Sequence, residues 1–273
     1  MRQVALTDYA TIHVHGEDAG AFLQSQLSSD VMAVTPEQGQ LSAWHDPKGR
    51  VLAVLTVMPV PDGYLLALPA SLAETVSRRL KMFVLRARVG IGPGPAVAGL
   101  PGGPAPFSGR AASTDWAAES RDGTVAVRLP GEERWLVAGP LAGTAETDAG
   151  AREAWELEAV RAGLPEVYPA TSGAFVAQMV NLDALGGVSF TKGCFPGQEI
   201  IARAHYLGRV KRGMRRFRAE GAPPQPGEAL SGDASGSVVR AASAQDGCEI
   251  LAVVPADSTG PFALADGRSL VPA

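Results

Sequence analysis

The chain has 273 residues, 46% of them hydrophobic, and a formal net charge of −4. That length and apolar content support one large core or two to three smaller ones, so a multi-domain globular protein is the default, and the acidic balance excludes a global attraction to nucleic acid or anionic membrane. Residues 1–20 carry Arg2, Asp8, Glu17 and Asp18 without an apolar run, and the longest apolar stretch, 51–60, is about half a bilayer span, so neither a secretory leader nor a membrane helix is expected and the chain is placed in the cytoplasm.

Residues 9–15 alternate Ile12 and Val14 with polar neighbours, the period of a strand. Gly16-Glu17-Asp18 then opens an amphipathic helix with Ala19, Phe22, Leu23 and Leu27 on one face. Strands at 40–45, 51–59 and 64–68, with turns at Pro47-Lys48-Gly49 and Pro61-Asp62-Gly63, predict a meander packed against helices. Ser71-x-x-Glu74 reads as a capping box opening a helix to about residue 83, with an extended stretch over 84–91 after it. Dense glycine and proline from 92 to 109 predict a loop holding a short strand at 96–100. Strands at 125–129 and 134–138 precede a Gly/Thr/Ala-rich crossing at 139–150, and a helix over 151–162 stops at Gly163 and Pro165. A Pro/Gly/Ser-rich linker, 219–236, leads to a small β domain with strands at 237–241 and 249–254.

Two cysteines, Cys194 and Cys248, form no C-x-x-C pair, which argues against a disulfide framework and against a metal site made by one chain. Only four of the 24 basic residues are lysines, and three of them, Lys48, Lys192 and Lys211, fall in Gly/Arg-rich motifs where a compact ammonium serves differently from guanidinium. Gly193-Cys194-Phe195-Pro196-Gly197-Gln198-Glu199 runs into a helical apolar face made by Ile200, Ile201 and Ala204, and Pro196 suits a first helical turn. Cys194 then sits just ahead of a helix N-terminus with Lys192 close by, and both favour thiolate over thiol. The plainer alternative for a lone cysteine is a small buried hydrophobe. Gln198 and Glu199 either bond the free N–H groups of the helix start or face a ligand; Arg203 either pairs with Glu199 one turn away or holds a carboxylate. From Arg203 to Arg218 seven residues are basic (Arg203, Arg209, Lys211, Arg212, Arg215, Arg216, Arg218) and none is acidic. This is a solvated rim, or it attracts a polyglutamyl tail, an acidic protein or RNA. RNA ranks last, because no regular aromatic interleaving supports a dedicated RNA platform.

The run Lys192-Gly193-Cys194-Phe195-Pro196-Gly197-Gln198-Glu199, followed by Ala202-Arg203, resembles the signature of YgfZ-type proteins of the aminomethyltransferase superfamily. Trp155, Ala162-Gly163-Leu164-Pro165, Asn181-Leu182, Ala184-Leu185-Gly186-Gly187, Ser189-Phe190, the stretch 16–31 and Asp46-Pro47-Lys48-Gly49-Arg50 fit the same pattern, over roughly residues 5–212. The resemblance implies a folate-binding protein that supports assembly or repair of iron-sulfur enzymes, with an influence on tRNA thiolation that follows from that role. It implies an α+β fold like that of the glycine-cleavage T-protein. Two interrupted α+β domains, expected at 1–45 with 150–208 and at 46–149, join a small C-terminal β-barrel at 209–273 around a central folate channel.

The implied cofactor is tetrahydrofolate or a derivative, and the implied partners are folate and iron-sulfur enzymes or cluster-assembly proteins. The family's folate-contacting aromatics carry over to Trp155 and to Tyr9, the latter a departure because tryptophan is usual there; read from the residues alone, the first is a core side chain and the second an edge aromatic. Gln198, Glu199 and Arg203 are implied to face the channel, with Cys194 and Lys192 as the reactive pair. The acidic residue that T-proteins place after their hairpin glycine has no counterpart, since Gly49 is followed by Arg50, Val51 and Leu52, and their pterin-side glutamate falls at Arg161. A binding and repair factor therefore ranks ahead of a folate-dependent aminomethyltransferase, with an RNA-binding module third.

Overall fold

The computed structural model describes residues 3–112, 114–208, 210–232 and 235–273; Arg2, Arg209 of the basic segment, and Asp233 and Ala234 of the linker lie outside them. A first antiparallel sheet runs in the order Gln40–His45, Val51–Val60, Gly63–Pro69, Tyr9–His15, Gly90–Pro93. Its second strand reads as an almost unbroken apolar run because both faces are covered: Ala53, Leu55 and Val57 join one core, and Met58 joins another. Helix α1, Ala19–Gln26, buries Ala19, Phe22 and Leu23, while α2, Ala70–Lys81, buries Leu72, Val76 and Leu80 at four-residue spacing. A leucine fully buried in this way contributes roughly 1.5–3 kcal/mol.

The second sheet, in the order Val4–Ala5, Val97–Pro101, Arg134–Ala138, Thr124–Arg128, Ala118–Arg121, shares its core with the first. Met58, Leu65 and Ala67 of one meet Val97, Val127 and Leu136 of the other. Helix α3, Ala149–Arg161, is capped by the Asp148 carboxylate, which accepts from the Ala151 N–H, and packs against barrel strands Gly236–Ala244 and Gly247–Pro255. The barrel is closed in the order Arg212–Ala219, Gly247–Pro255, Gly236–Ala244, Ala229–Gly232, Phe262–Ala263, Ser269–Pro272.

A bulge between Val238 and Arg240 breaks the barrel's alternation. Val238 belongs to the barrel interior, whereas Val239 and Ala242 belong to the core shared with the first sheet. One extra residue thereby turns Arg240 out of the barrel and into the body of the protein.

Several expectations are corrected. The boundary at 45/46 falls inside a hairpin, where Trp44 pairs with Ala53 and His45 with Val51, so sheet pairing keeps 9–93 together and sets 97–138 apart. Ser71 caps nothing: the strand Gly63–Pro69 runs straight into α2 with Pro69 at the cap position, and the helix ends at Lys81 rather than 83. Of the expected extended stretch 84–91 only Gly90 and Ile91 pair, within the strand Gly90–Pro93, and the basic stretch 212–219 is itself a barrel strand.

Candidate functional site

The motif loop is seated on the 46–50 turn. The Asp46 carboxylate accepts from the backbone N–H of Lys48 (2.9 Å) and of Arg50 (2.8 Å), closing the turn with Gly49 at φ +73°. Helix α4, Gln198–Tyr206, starts from Gly197 at φ +79°, and a Cβ on Gly197 would lie 2.6 Å from both the Asp46 carbonyl oxygen and Gly49 Cα. Glycine at both positions is what lets turn and helix start touch. Arg50 Nη1 donates to the Ala174 carbonyl (2.9 Å) and Gln178 Nε2 to that of Ile201 (2.8 Å), tying 174–178 to the same unit.

Within it, Cys194 is exposed, while Phe195 is buried with its ring 6.1 Å from that of His45. Burial pulls His45 down to about 4, and neither ring nitrogen has a hydrogen-bond partner. Lys192 Nζ donates to the carbonyls of Gln24 (2.5 Å), Leu27 (2.6 Å) and Ser29 (2.9 Å) and lies 5.2 Å from the Phe195 ring centre. Burial lowers the ammonium to about 8, with Asp30 opposing, so it keeps its three protons at neutral pH.

All three are directed at carbonyls, so Lys192 staples the end of α1 to the motif and has no proton left for the Cys194 sulfur. Pro196 lies outside α4, which begins only at Gln198, and no side chain caps that start. Gln198 is half-buried, Glu199 and Arg203 are exposed, and no ion pair joins those two.

Part of the basic segment finds acceptors within the molecule, where Arg161 joins it, although Arg216 and Arg218 keep 32% and 66% of their side chains exposed. Arg161, Arg216 and Arg218 converge on the buried Glu249 at 3.1, 3.8 and 4.0 Å, and Arg215 lies over the Phe217 and Phe262 rings while donating to the Ser258 carbonyl.

The two aromatics lie elsewhere. Tyr9 and Trp155 line one small cavity, of about 40 Å³, at the junction of both sheets, α3 and the barrel, together with Arg134, Glu166 and Arg240. None of Cys194, Lys192, Gln198, Glu199 and Arg203 lines it. Roomier surface grooves, about 990 Å³ beside α1 and about 640 Å³ beside α2, hold none of those five either, although Tyr9 borders the second. Trp155 is 3% exposed, with Gly99 packed so closely that a Cβ there would come within 2.6 Å of the indole and with the Arg134 guanidinium 5.0 Å above it. As described it is a core side chain that touches the cavity.

The polar groups of the cavity form a chain. Tyr9 OH donates to Glu166 Oε2 (2.7 Å) and accepts from Arg240 Nη2 (3.1 Å), and Arg240 donates through Nε (2.8 Å) and Nη2 (2.6 Å) to Glu156. Arg152 continues the chain from Glu156 to Asp8 at the surface. Burial raises Glu166 to about 7 and raises Tyr9 well above its ordinary value. Burial also acts to raise Glu156, but Arg240 and Arg152 outweigh it and hold that carboxyl low.

Arg134, Glu156, Glu166 and Arg240 were not singled out from the sequence. The one signal is for Arg240, a charge interrupting the apolar run Val238-Val239-Arg240-Ala241-Ala242; Arg134 merely opens the run Trp135-Leu136-Val137 after two glutamates. Among the described residues, no group of three or more His, Cys, Asp or Glu side chains is placed to hold a metal ion, and no helix is long and apolar enough to cross a membrane.

No family model matches the chain. It is similar to tRNA-modifying protein YgfZ of Klebsiella pneumoniae (strain 342), 32% identical over 276 residues covering 92% of this chain and 84% of the relative. The protein of the same name in Escherichia fergusonii is 30% identical over the same shares of the two chains. Among solved structures, aminomethyltransferase T of the glycine cleavage system from Bartonella henselae superposes with a TM-score of 0.73 at 15% identity, covering 98% of this chain and 83% of that one. The architecture is thus the T-protein fold, with its C-terminal barrel.

Proposed function

The chain belongs to the YgfZ family, and from that premise we propose that it binds a reduced folate, tetrahydrofolate or a derivative, in the central cavity and supports assembly or repair of iron-sulfur enzymes in the cytoplasm, with Cys194 as its working thiol. The observation that carries the folate half is the cavity itself. Tyr9 and Trp155, distant in sequence, border one space at the junction of the sheets and the barrel, beside donors and acceptors that suit a pterin's oxo, amino and ring-nitrogen groups. The chemistry fits. The volume, about 40 Å³, admits little more than a water, so binding requires the lining of the cavity to give way.

For the thiol half, support comes from an exposed sulfur on a loop held by Lys192 and by the seat of Gly197 on the 46–50 turn. One thiolate per chain cannot hold a cluster, so client proteins must bring the remaining ligands. The aminomethyltransferase reading ranks second. After Gly49 the strand offers Arg50, committed to the Ala174 carbonyl, then buried Val51 and half-buried Leu52, none of which can move a proton. The curated relatives are named tRNA-modifying proteins. For this chain we assign such an effect to iron-sulfur enzymes that thiolate tRNA rather than to RNA contact, since Arg161, Arg216 and Arg218 are turned onto Glu249.

Titration with tetrahydrofolate, followed by calorimetry and tryptophan emission on wild type and Trp155→Phe, tests the reading. Saturable heat with an emission change that shrinks in the variant is expected; absence of heat together with unchanged emission removes the folate site.

A further inference from the structure

Of the ionisable side chains that line the central cavity, Tyr9, Glu166 and Arg240 are bound into one chain with Glu156, and Arg134 stands apart from it. Arg134 is 2% exposed. Its Nη1 donates to the Trp155 carbonyl (3.1 Å) and its plane lies over the Trp155 ring, but Nε and Nη2, both shut off from solvent, have no partner. Those two N–H groups leave the same edge of the planar guanidinium side by side, the spacing that takes two acceptor atoms at once. A charged group that keeps two donors unbonded in a dry site is unfavourable unless something else supplies the acceptors.

Charge balance points the same way. Arg240 is matched by Glu156, and Glu166 is bonded to Tyr9 OH and to the Val167 N–H and is raised to about 7 by burial, which leaves no carboxylate for Arg134.

We propose that the Nε and Nη2 edge of Arg134 is the anchor for the ligand of the central cavity and receives a planar pair of acceptor atoms, as presented by a carboxylate or by the oxo and ring-nitrogen edge of a pterin. The inference rests on the folate reading and sharpens it. The same guanidinium edge reads the oxo and ring-nitrogen pair of guanine in DNA, and a pterin repeats that pattern where N5 is an imine nitrogen, as in 7,8-dihydrofolate. Dihydrofolate thus offers both kinds of acceptor, one at each end, whereas N5 of tetrahydrofolate carries hydrogen and leaves that form the carboxylates.

The two sources are separable with fragments. The full chain and its Arg134→Met and Arg134→Lys variants are titrated calorimetrically with 7,8-dihydrofolate, with p-aminobenzoylglutamate, which keeps the carboxylates, and with 6-methyl-7,8-dihydropterin, which keeps the imine N5 beside the oxo group. Arg134→Met should weaken 7,8-dihydrofolate and one fragment by about tenfold or more and leave the other fragment unchanged, and Arg134→Lys, which keeps the charge but not the fork, should follow it. The ligand-free Arg134→Met protein should melt close to wild type, because removing a buried charge with two unbonded donors offsets the lost Nη1 bond to the Trp155 carbonyl.

Wild-type affinity for 7,8-dihydrofolate in both variants overturns the anchor and leaves the folate reading standing. A melting temperature well below wild type in both variants also overturns it, by marking Arg134 as structural. No heat from wild type with any of the three ligands removes the folate reading and this inference with it.

Discussion

The motif loop and the central cavity are assembled in opposite ways. The loop at 192–199 is contiguous; Phe195 anchors it in the core beside His45, and its other outside contacts are backbone carbonyls and glycines: Lys192 to Gln24, Leu27 and Ser29, and Gly197 to the 46–50 turn. The cavity draws Tyr9, Arg134, Glu166 and Arg240 from distant parts of the chain, Arg240 ties it to Glu156, and its contacts are between buried polar and charged side chains. A contiguous loop held by backbone contacts presents an atom to the outside. A dispersed set of buried charges makes folding depend on its own completeness, and therefore holds a preformed polar interior.

The most severe way to break this contrast is Arg240→Met. It leaves Glu156 with one partner and removes a donor from Tyr9, and unpairing a buried ion of this kind typically costs about 3–5 kcal/mol. Denaturant unfolding at neutral pH should show a loss of that order, and adding Glu156→Gln should recover part of it, since the two groups share one interaction. A loss within about 1 kcal/mol of zero would mean that the cavity is no more dependent on its charges than the loop is.

Glu166 gives the next effect, through pH. Its carboxyl is raised from 4.5 to about 7, so between those values the folded chain holds a proton that the unfolded chain has released. Stability from this group is therefore full below about 4.5, falls as pH rises to about 7, and is flat above, a difference of roughly 3 kcal/mol. His45, lowered from 6.5 to about 4, acts with the opposite sign and adds stability as pH rises from about 4 to 6.5. Subtracting the Glu166→Gln profile from that of wild type cancels the His45 part. The variant should gain on wild type from pH 5 to pH 8, and parallel profiles would show that Glu166 ionises freely.

The contrast also explains what the sequence could and could not tell. Strands at 9–15, 40–45 and 51–60 and helix α1 are legible because their apolar periods follow from burying one or both faces locally. The motif is legible because its residues adjoin. The 45/46 boundary failed because a turn rich in glycine and charge looks the same whether it joins two strands of one sheet or two domains. Lys192 looked like a partner for Cys194 two residues away, whereas its acceptors lie beyond residue distances that spacing can reveal. Arg240 needed a bulge to face the cavity, and a bulge leaves no period in the sequence, only a charge among valines and alanines.

The smallest expected effect is on the loop, and it sharpens the comparison most. Cys194 is exposed, so Cys194→Ala should change unfolding free energy by no more than about 0.5 kcal/mol. In the native protein iodoacetamide should alkylate Cys194 at least about tenfold faster than Cys248, whose sulfur is buried against the Ala219 carbonyl and whose thiol burial pushes up. Equal rates would mean that the loop does not present its sulfur. Because no motif residue lines the cavity, Cys194→Ala should also bind tetrahydrofolate as wild type does, even if it fails to reactivate an iron-sulfur enzyme. A fall in folate affinity in that variant would join what the geometry keeps separate, and would require a bound state in which the loop reaches the cavity.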